Sequence, residues 1–243
     1  MSRNVHTVEE AIRRSLGSAR RLEVHRYPIA VRVEEEDGVA TLEGEVGSVA
    51  MKKLALEQAA AVPGVTGIVD RIRVAPAERQ GDKQIADHVR DALLQDSAFG
   101  ECTLRRISSG REEVMRQLDE PRGDICISVS DGIVTLDGEV PGLSHKRLAG
   151  VLAWWVPGSR DVVNGLAVEP QEEDSDSEIT DAVRIALEKD PFVNAGQVRV
   201  GTHDRVVTLR GLVPNETERD MAEADAWYVF GVDNVVNEIE VRA

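Results

Sequence analysis

The sequence predicts an α+β protein built from three tandem αββαβ modules, each with two helices packed on one face of a three-stranded mixed sheet. Three observations predict it. Segments 31–74, 125–168 and 198–241 align over 44 positions without a gap. Each carries a hairpin pattern, DGVATLEGEV, DGIVTLDGEV or DRVVTLRGLV, and centred 19 residues after its second-strand glycine (Gly44, Gly138, Gly211) comes VPG, VPG or VFG. Upstream of each hairpin stands a stretch of helical periodicity: VEEAIRRSL from Val8, IADHVRDAL from Ile85 and ITDAVRIAL from Ile179. Repeats of this kind set the domain count before length does.

Taken in order, the first helix places apolar residues at i, i+4 and i+8 in all three copies, one stripe of a helix. Thr7 with Glu10 has the form of a capping box, and Asp82 and Asp176 stand where N-terminal caps are expected. In the hairpin, Asp37-Gly38 and Asp131-Gly132 separate apolar runs as type I′ turns require, because glycine supplies positive φ without a Cβ clash. Arg205 replaces that glycine in the third copy, so its turn is expected to be of another type or mildly strained. The second strand puts Val134, Leu136 and Val140 on one face, with Gly138 expected where a side chain would meet the helix above. Ala149, Leu152, Ala153 and Val156 then recur at helical spacing, small enough for close approach to the sheet. Pro-Gly after Val62 and Val156 ends this second helix. Val69-Asp70, Val163-Asn164 and Val236-Asn237 mark the last strand in a common register.

The module boundaries are 1–76, 81–169 and 176–243. The second linker, EPQEEDSDSE, is acidic and poor in apolar residues, which predicts a solvated, extended segment. From first helix to hairpin the distance is 23 residues in module one, 40 in module two and 19 in module three. Module two therefore carries an insertion at about 100–121. There Val114, Met115 and Leu118 are read as one side of a short amphipathic helix, either a solvated surface element or a docking element.

With these features in place, the chain resembles the BON family (bacterial OsmY and nodulation). That family's pattern is a helix, a dG-V-tL-G-V hairpin, an Ala-rich helix ending in V-x-GV, and a V-VN-l-V strand. The resemblance implies a non-catalytic module of envelope or osmotic-stress proteins. It also implies phospholipid as a proposed ligand and, from a cytosolic relative, potassium. The two function classes left open are a binding scaffold of the stress-response type, self-associating or docking to a protein partner or the membrane periphery, and a potassium or small-ligand sensor.

Charge bears on partners. The net charge is −15, spread unevenly: 11 basic and 11 acidic residues in 1–76, 11 and 16 in 77–169, 7 and 17 in 170–243. A negative field repels nucleic acid at long range, and the GxxG backbone clamp of a KH module is missing, so nucleic acid is not an expected partner. The first 30 residues lack the apolar run of a signal peptide, and no stretch is long and apolar enough to span a bilayer. With Cys102 and Cys126 outside any paired framework, the expectation is a cytoplasmic location and free thiols.

The candidate interface residues are aromatic. On a wheel centred on Ala153, Trp154 and Trp155 project away from the face that meets the sheet. The aligned pair in module three is Trp227-Tyr228, whereas module one has Ala60-Ala61. These four rings are expected outside their own modules' cores, packing between modules or chains, or on lipid or a separate partner. Arg13, Arg14, Arg20, Arg21 and Arg26 give module one a basic stripe, either a solvated face or an anion-binding site. The histidines His6, His25, His88, His145 and His203 are scattered without zinc-ligand spacing, and Glu34 to Asp37 lacks the distal glutamate of a calcium loop, so no metal is expected. Cys126 is placed on the sheet face opposite the helices, as an inert thiol. No phosphate loop, nucleophile-base pairing or shared carboxylate pair recurs among the modules. Neither catalytic residues nor a cofactor are therefore predicted.

Overall fold

The computed structural model describes residues 2–34, 37–108 and 110–242, with side chains from residue 6 onward. Glu35 and Glu36 of the acidic run lie outside the described residues. The chain divides into two compact units, 1–75 and 76–243.

The first unit is one αββαβ module: α1 (Ser2–Ser18), β1 (Ile29–Val33), β2 (Val39–Val46), α2 (Val49–Ala60) and β3 (Gly67–Val74). β1 pairs antiparallel with β2, which pairs parallel with β3, so the sheet is mixed with β2 at its centre. The apolar stripe of α1 (Ile12, Leu16) and the alanines of α2 (Ala55, Ala59) bury against Leu42, Val46 and Ile72 in a single core. Thr7 lies inside α1 rather than at its start, so the capping-box expectation fails there. Ser48 caps α2 instead, accepting from the Met51 N–H at 3.2 Å. Buried Lys52 fastens α2 to β3 through Asp70 Oδ2 at 2.8 Å and the Ile72 carbonyl at 2.9 Å.

The second unit holds two modules. Module two comprises α3 (Asp82–Gln95), β4 (Cys102–Ser108), β5 (Arg111–Arg116), β6 (Gly123–Ser130), β7 (Ile133–Val140), α4 (Leu143–Trp155), β8 (Asp161–Asn164) and β9 (Ala167–Val168). Module three comprises α5 (Asp176–Lys189), β10 (Val198–His203), β11 (Val206–Val213), α6 (Glu216–Tyr228) and β12 (Asn234–Val241). The β10-β11-β12 order repeats that of module one. Ala149, Leu152, Ala153 and Val156 are all buried, as their spacing predicts. After the second helix each module turns on a left-handed glycine: Gly64, Gly158 or Gly231.

The insertion is a β-hairpin, not the amphipathic helix expected from Val114, Met115 and Leu118. β4 adds in parallel to β6, and β5 pairs antiparallel with β4. Adjacent residues of a strand point to opposite faces, so Val114 is 53% exposed while Met115 packs on the module-two core. Arg105 and Arg106 likewise pair with Glu112 and Glu113 of the facing strand. These charges at adjacent positions suit a ladder of cross-strand pairs. The hairpin covers an edge that modules one and three protect with side chains. On β1, the Val31 carbonyl accepts from Arg13 at 2.8 Å and the Val33 N–H donates to Glu9 at 3.0 Å. With these two groups occupied the edge is a poorer template for stray strands.

Two further expectations are corrected. A side chain at the second-strand glycine would meet not the helix but the neighbouring strand: a Cβ on Gly138 or Gly211 lands on the carbonyl oxygen of Asp124 or Gln197, and one on Gly44 comes 2.7 Å from the Pro28 oxygen. The caps of α3 and α5 are Gly81 and Ser175. Asp82 and Asp176, one residue inside, hold the hairpin turns. Asp82 accepts from the N–H groups of Asp131 and Gly132 at 3.0 and 2.9 Å. Asp176 accepts from those of Asp204 and Arg205 at 2.8 and 3.0 Å. Those two amide bonds hold the Asp176 carboxyl below its usual range. The third turn keeps positive φ at both central residues, 48° at Asp204 and 61° at Arg205, so the mild strain expected there is real.

Candidate functional site: the seam between modules two and three

Within the second unit α4 packs against both α5 and α6, and the four aromatic residues singled out by sequence lie on the facing helices. Trp154 stacks on Tyr228 with ring centroids 5.9 Å apart and planes 13° from parallel. The Trp155 indole N–H donates to Asp225 Oδ1 at 2.9 Å. Trp227 is only 4% exposed. Offset-stacked rings and an indole with a satisfied N–H are what a packed aromatic contact requires.

Polar groups frame the rings. Arg147 of α4, 1% exposed, donates to the Phe230 carbonyl at 2.9 Å and pairs with Asp174 of the acidic linker. Beside it, the Lys146 ammonium lies 4.9 Å from the centroid of the Phe230 ring, a cation-π contact. At the other end Lys189 of α5 pairs with Asp96 of module two at 2.7 Å. Asp225 is 2% exposed, and burial pushes its carboxyl up to about 8; the neighbouring Asp190 adds to the rise and the Trp155 hydrogen bond opposes it. Burial raises Tyr228 as well, with Asp225 and Asp190 contributing.

Arg147 and Asp225 escaped the sequence reading, although a signal existed. In the repeat alignment Asp225 occupies the position of Leu152, a core residue of module two, and an acid at an apolar helical phase marks an unusual site. Arg13 is bound to Glu9 and Val31; Arg14, Arg20 and Arg21 are exposed on α1 and on the short 3-10 turn Arg20–Leu22 anchored by buried Leu22. Cys102 is buried and Cys126 half-buried; both thiols are free, and burial raises both. Among the described residues no group of three or more His, Cys, Asp or Glu could hold a metal ion, and no helix is long and apolar enough to cross a membrane.

Comparison with known proteins accords with the three modules. A relative, osmotically-inducible protein Y of Escherichia coli (strain K12), is 31% identical over 125 residues, which cover 49% of this chain. The match spans 62% of that relative's own length. Among solved structures, the C-terminal domain of CdsD, a structural protein of the type III secretion system of Chlamydia trachomatis, aligns over 98% of this chain and 97% of its own. That alignment has 15% identity and a TM-score of 0.25. The family model for the BON domain matches residues 4–76, 109–170 and 175–243. The second match starts within the inserted hairpin, which is what separates α3 from the rest of its module. Three matches covering most of the chain, on three copies of one helix-and-sheet unit, make this chain a tandem member of the BON domain family.

Proposed function

We propose that the chain is a non-enzymatic binding scaffold of the osmotic-stress type, in which the second-helix aromatics of modules two and three dock the modules on each other. The observation that carries this is the Trp154 to Tyr228 stack, reinforced by the Trp155 to Asp225 hydrogen bond. A BON second helix bearing paired aromatics acts here as a docking surface, and its partner is another BON module. Module one, with Ala60-Ala61 at the equivalent positions, lacks that surface. The relative's osmotic induction supports the stress assignment.

With the rings engaged inside the chain, self-association through them requires the seam to open. The surface then suited to an anionic membrane periphery is the exposed arginine set of module one, Arg14, Arg20 and Arg21. Light scattering with and without vesicles tests both parts. A mass of one chain is expected in buffer, with binding to phosphatidylglycerol vesicles and not to phosphatidylcholine vesicles. Charge reversal at Arg14, Arg20 and Arg21 abolishes that binding, whereas Trp154→Ala leaves it intact. Unchanged binding by the arginine variant, or a stable dimer that Trp154→Ala dissociates, refutes the corresponding part.

A further inference from the structure

We propose that the outer edge of β10 is a strand-addition site for an extended, arginine-bearing peptide of a partner protein, running parallel to β10 as β4 runs beside β6 in module two. The site uses neither the seam aromatics nor the module-one arginines, and so goes beyond the scaffold reading.

Module two supplies the precedent within the same chain. There β4 pairs in parallel with the first hairpin strand, β6, setting Leu104, Arg105 and Arg106 beside Ile125, Cys126 and Ile127. The first helix, α3, packs over both strands. Leu104 is buried in the core, and Arg106, almost fully buried, pairs with Asp87 of α3. In module three Val198 faces Gly211 and Val200 faces Leu209, as Ile125 faces Gly138 and Ile127 faces Leu136. Val198, Arg199 and Val200 therefore stand where β6 receives β4. On the helix above, Asp181 takes the place of Asp87, and Arg184 that of Arg90.

β10 is the edge strand of its sheet, and its protection is thinner than that of β1. Arg184 reaches the Val200 carbonyl only at 3.5 Å, the outer limit of a hydrogen bond. Thr180, at the position of Glu9, bonds the Thr202 hydroxyl at 2.8 Å. In module two Arg90 pairs with Asp87 and Asp91 instead of the strand. Arg184 already holds the matching alternative, Asp181, at 3.1 Å, so it can yield the carbonyl to an incoming strand.

The lining sets the chemistry of the peptide. An inner-face residue beside Val200 meets Asp181, as Arg106 meets Asp87, and Glu188 stands where α3 has Leu94, so an arginine fits there. Beside Arg199 an acidic residue completes a cross-strand pair. Gly201 leaves open space at the next position, where β4 has Ile107. The β10 edge of a second copy does not fit. Paired strands lie about 4.8 Å apart, packed helices need about 8–10 Å, and each copy carries α5 over β10. An extended segment with no helix of its own avoids that clash.

The probe is the β4 segment itself with one change, the end-capped peptide CTLERIS, residues 102–108 carrying Arg105→Glu. Titrated in reducing buffer into the full chain labelled with nitrogen-15, it is expected to shift the amide resonances of Val198–His203 to saturation. Asp181→Arg, an exchange at an exposed helix position, abolishes those shifts. The milder Asp181→Asn weakens them. A peptide that also carries Arg106→Glu fails with wild type and restores the shifts with Asp181→Arg. Three results each overturn the proposal: no saturable shift at Val198–His203 with millimolar peptide, shifts confined to Gly123–Ser130 through exchange with the resident β4, or equal binding by wild type and Asp181→Arg. None of these outcomes touches vesicle binding or the chain's mass in buffer, so the strand site and the scaffold reading fail separately.

Discussion

Arg147, in the middle of the second helix of module two, forms an ion pair with Asp174 in the linker that leads into module three. The guanidinium is almost completely buried, and its other contact is the main-chain carbonyl of Phe230. The acidic linker therefore does more than space two domains: one of its carboxylates compensates a cation that the seam has taken out of water.

Removing one partner of such a pair leaves an uncompensated buried charge. Asp174→Ala is expected to cost about 3 kcal/mol, the low end for a broken buried pair, because Asp174 is partly solvated. Arg147→Met, which removes the charge and keeps the volume, is expected to cost less than Asp174→Ala. Urea denaturation of the full chain, followed by tryptophan emission, checks the order. An Asp174→Ala variant as stable as wild type contradicts it.

The repeated glycine is explained by the strand beside it. At Gly211 a methyl group lands on the Gln197 carbonyl, which the β10-β11 ladder prevents from retreating. Gly211→Ala is therefore expected to destabilise module three by at least about 2 kcal/mol, the scale of a forced backbone shift. Gly201, in the first strand of the same hairpin, has nothing within 4 Å of a built Cβ. Gly201→Ala is expected to be neutral or to stabilise by about 0.4–1 kcal/mol through the unfolded chain. Compared in one thermal-melt series, Gly211→Ala is expected to lower Tm and Gly201→Ala not to lower it.

Much of this architecture was legible because the constraints are local and written more than once. The hairpin glycines, the period-two strands and the alanine stripe each follow from a backbone or packing demand that every copy must meet. The insertion was misread because Val114 and Met115 form too short an apolar run to distinguish helix from strand by period, and the pairing of Arg105 and Arg106 with Glu112 and Glu113 depends on a partner strand. One helix wheel set Trp154 and Trp155 apart from the alanine stripe, yet Trp155 still packs against the module-two core. Their partners could not be read from it, because Asp225 lies 70 residues beyond Trp155 and becomes its neighbour only when α4 meets α6.

The third hairpin turn holds Arg205 at φ 61°, a conformation its Cβ disfavours, and Asp176 grips the turn through two backbone amides. Arg205→Gly relieves the clash, and the exposed pair it gives up with Asp174, 3.4 Å long, is worth little. A gain of about 1 kcal/mol is expected. Asp176→Ala frees both amides and is expected to destabilise the wild type, and to do so less in the Arg205→Gly background where the turn no longer needs restraint. Chemical denaturation of the four proteins of this cycle measures that difference; equal costs in both backgrounds contradict the account.

The stack of Trp154 on Tyr228 makes the most direct claim about how the modules are joined. If the rings hold the seam as a pair, replacing either by alanine removes the same contact, and replacing both costs less than the sum of the single losses. A coupling of about 0.5–1.5 kcal/mol is expected from a double-mutant cycle on Trp154 and Tyr228. The control pairs Trp154 with Ile12 in module one; the stability of the unit 76–243 is expected to show no coupling there, since Ile12 belongs to another core. Zero coupling between Trp154 and Tyr228, with each single variant still destabilised, means that each ring packs on its own surroundings and that the joint between the modules lies in the ion pairs.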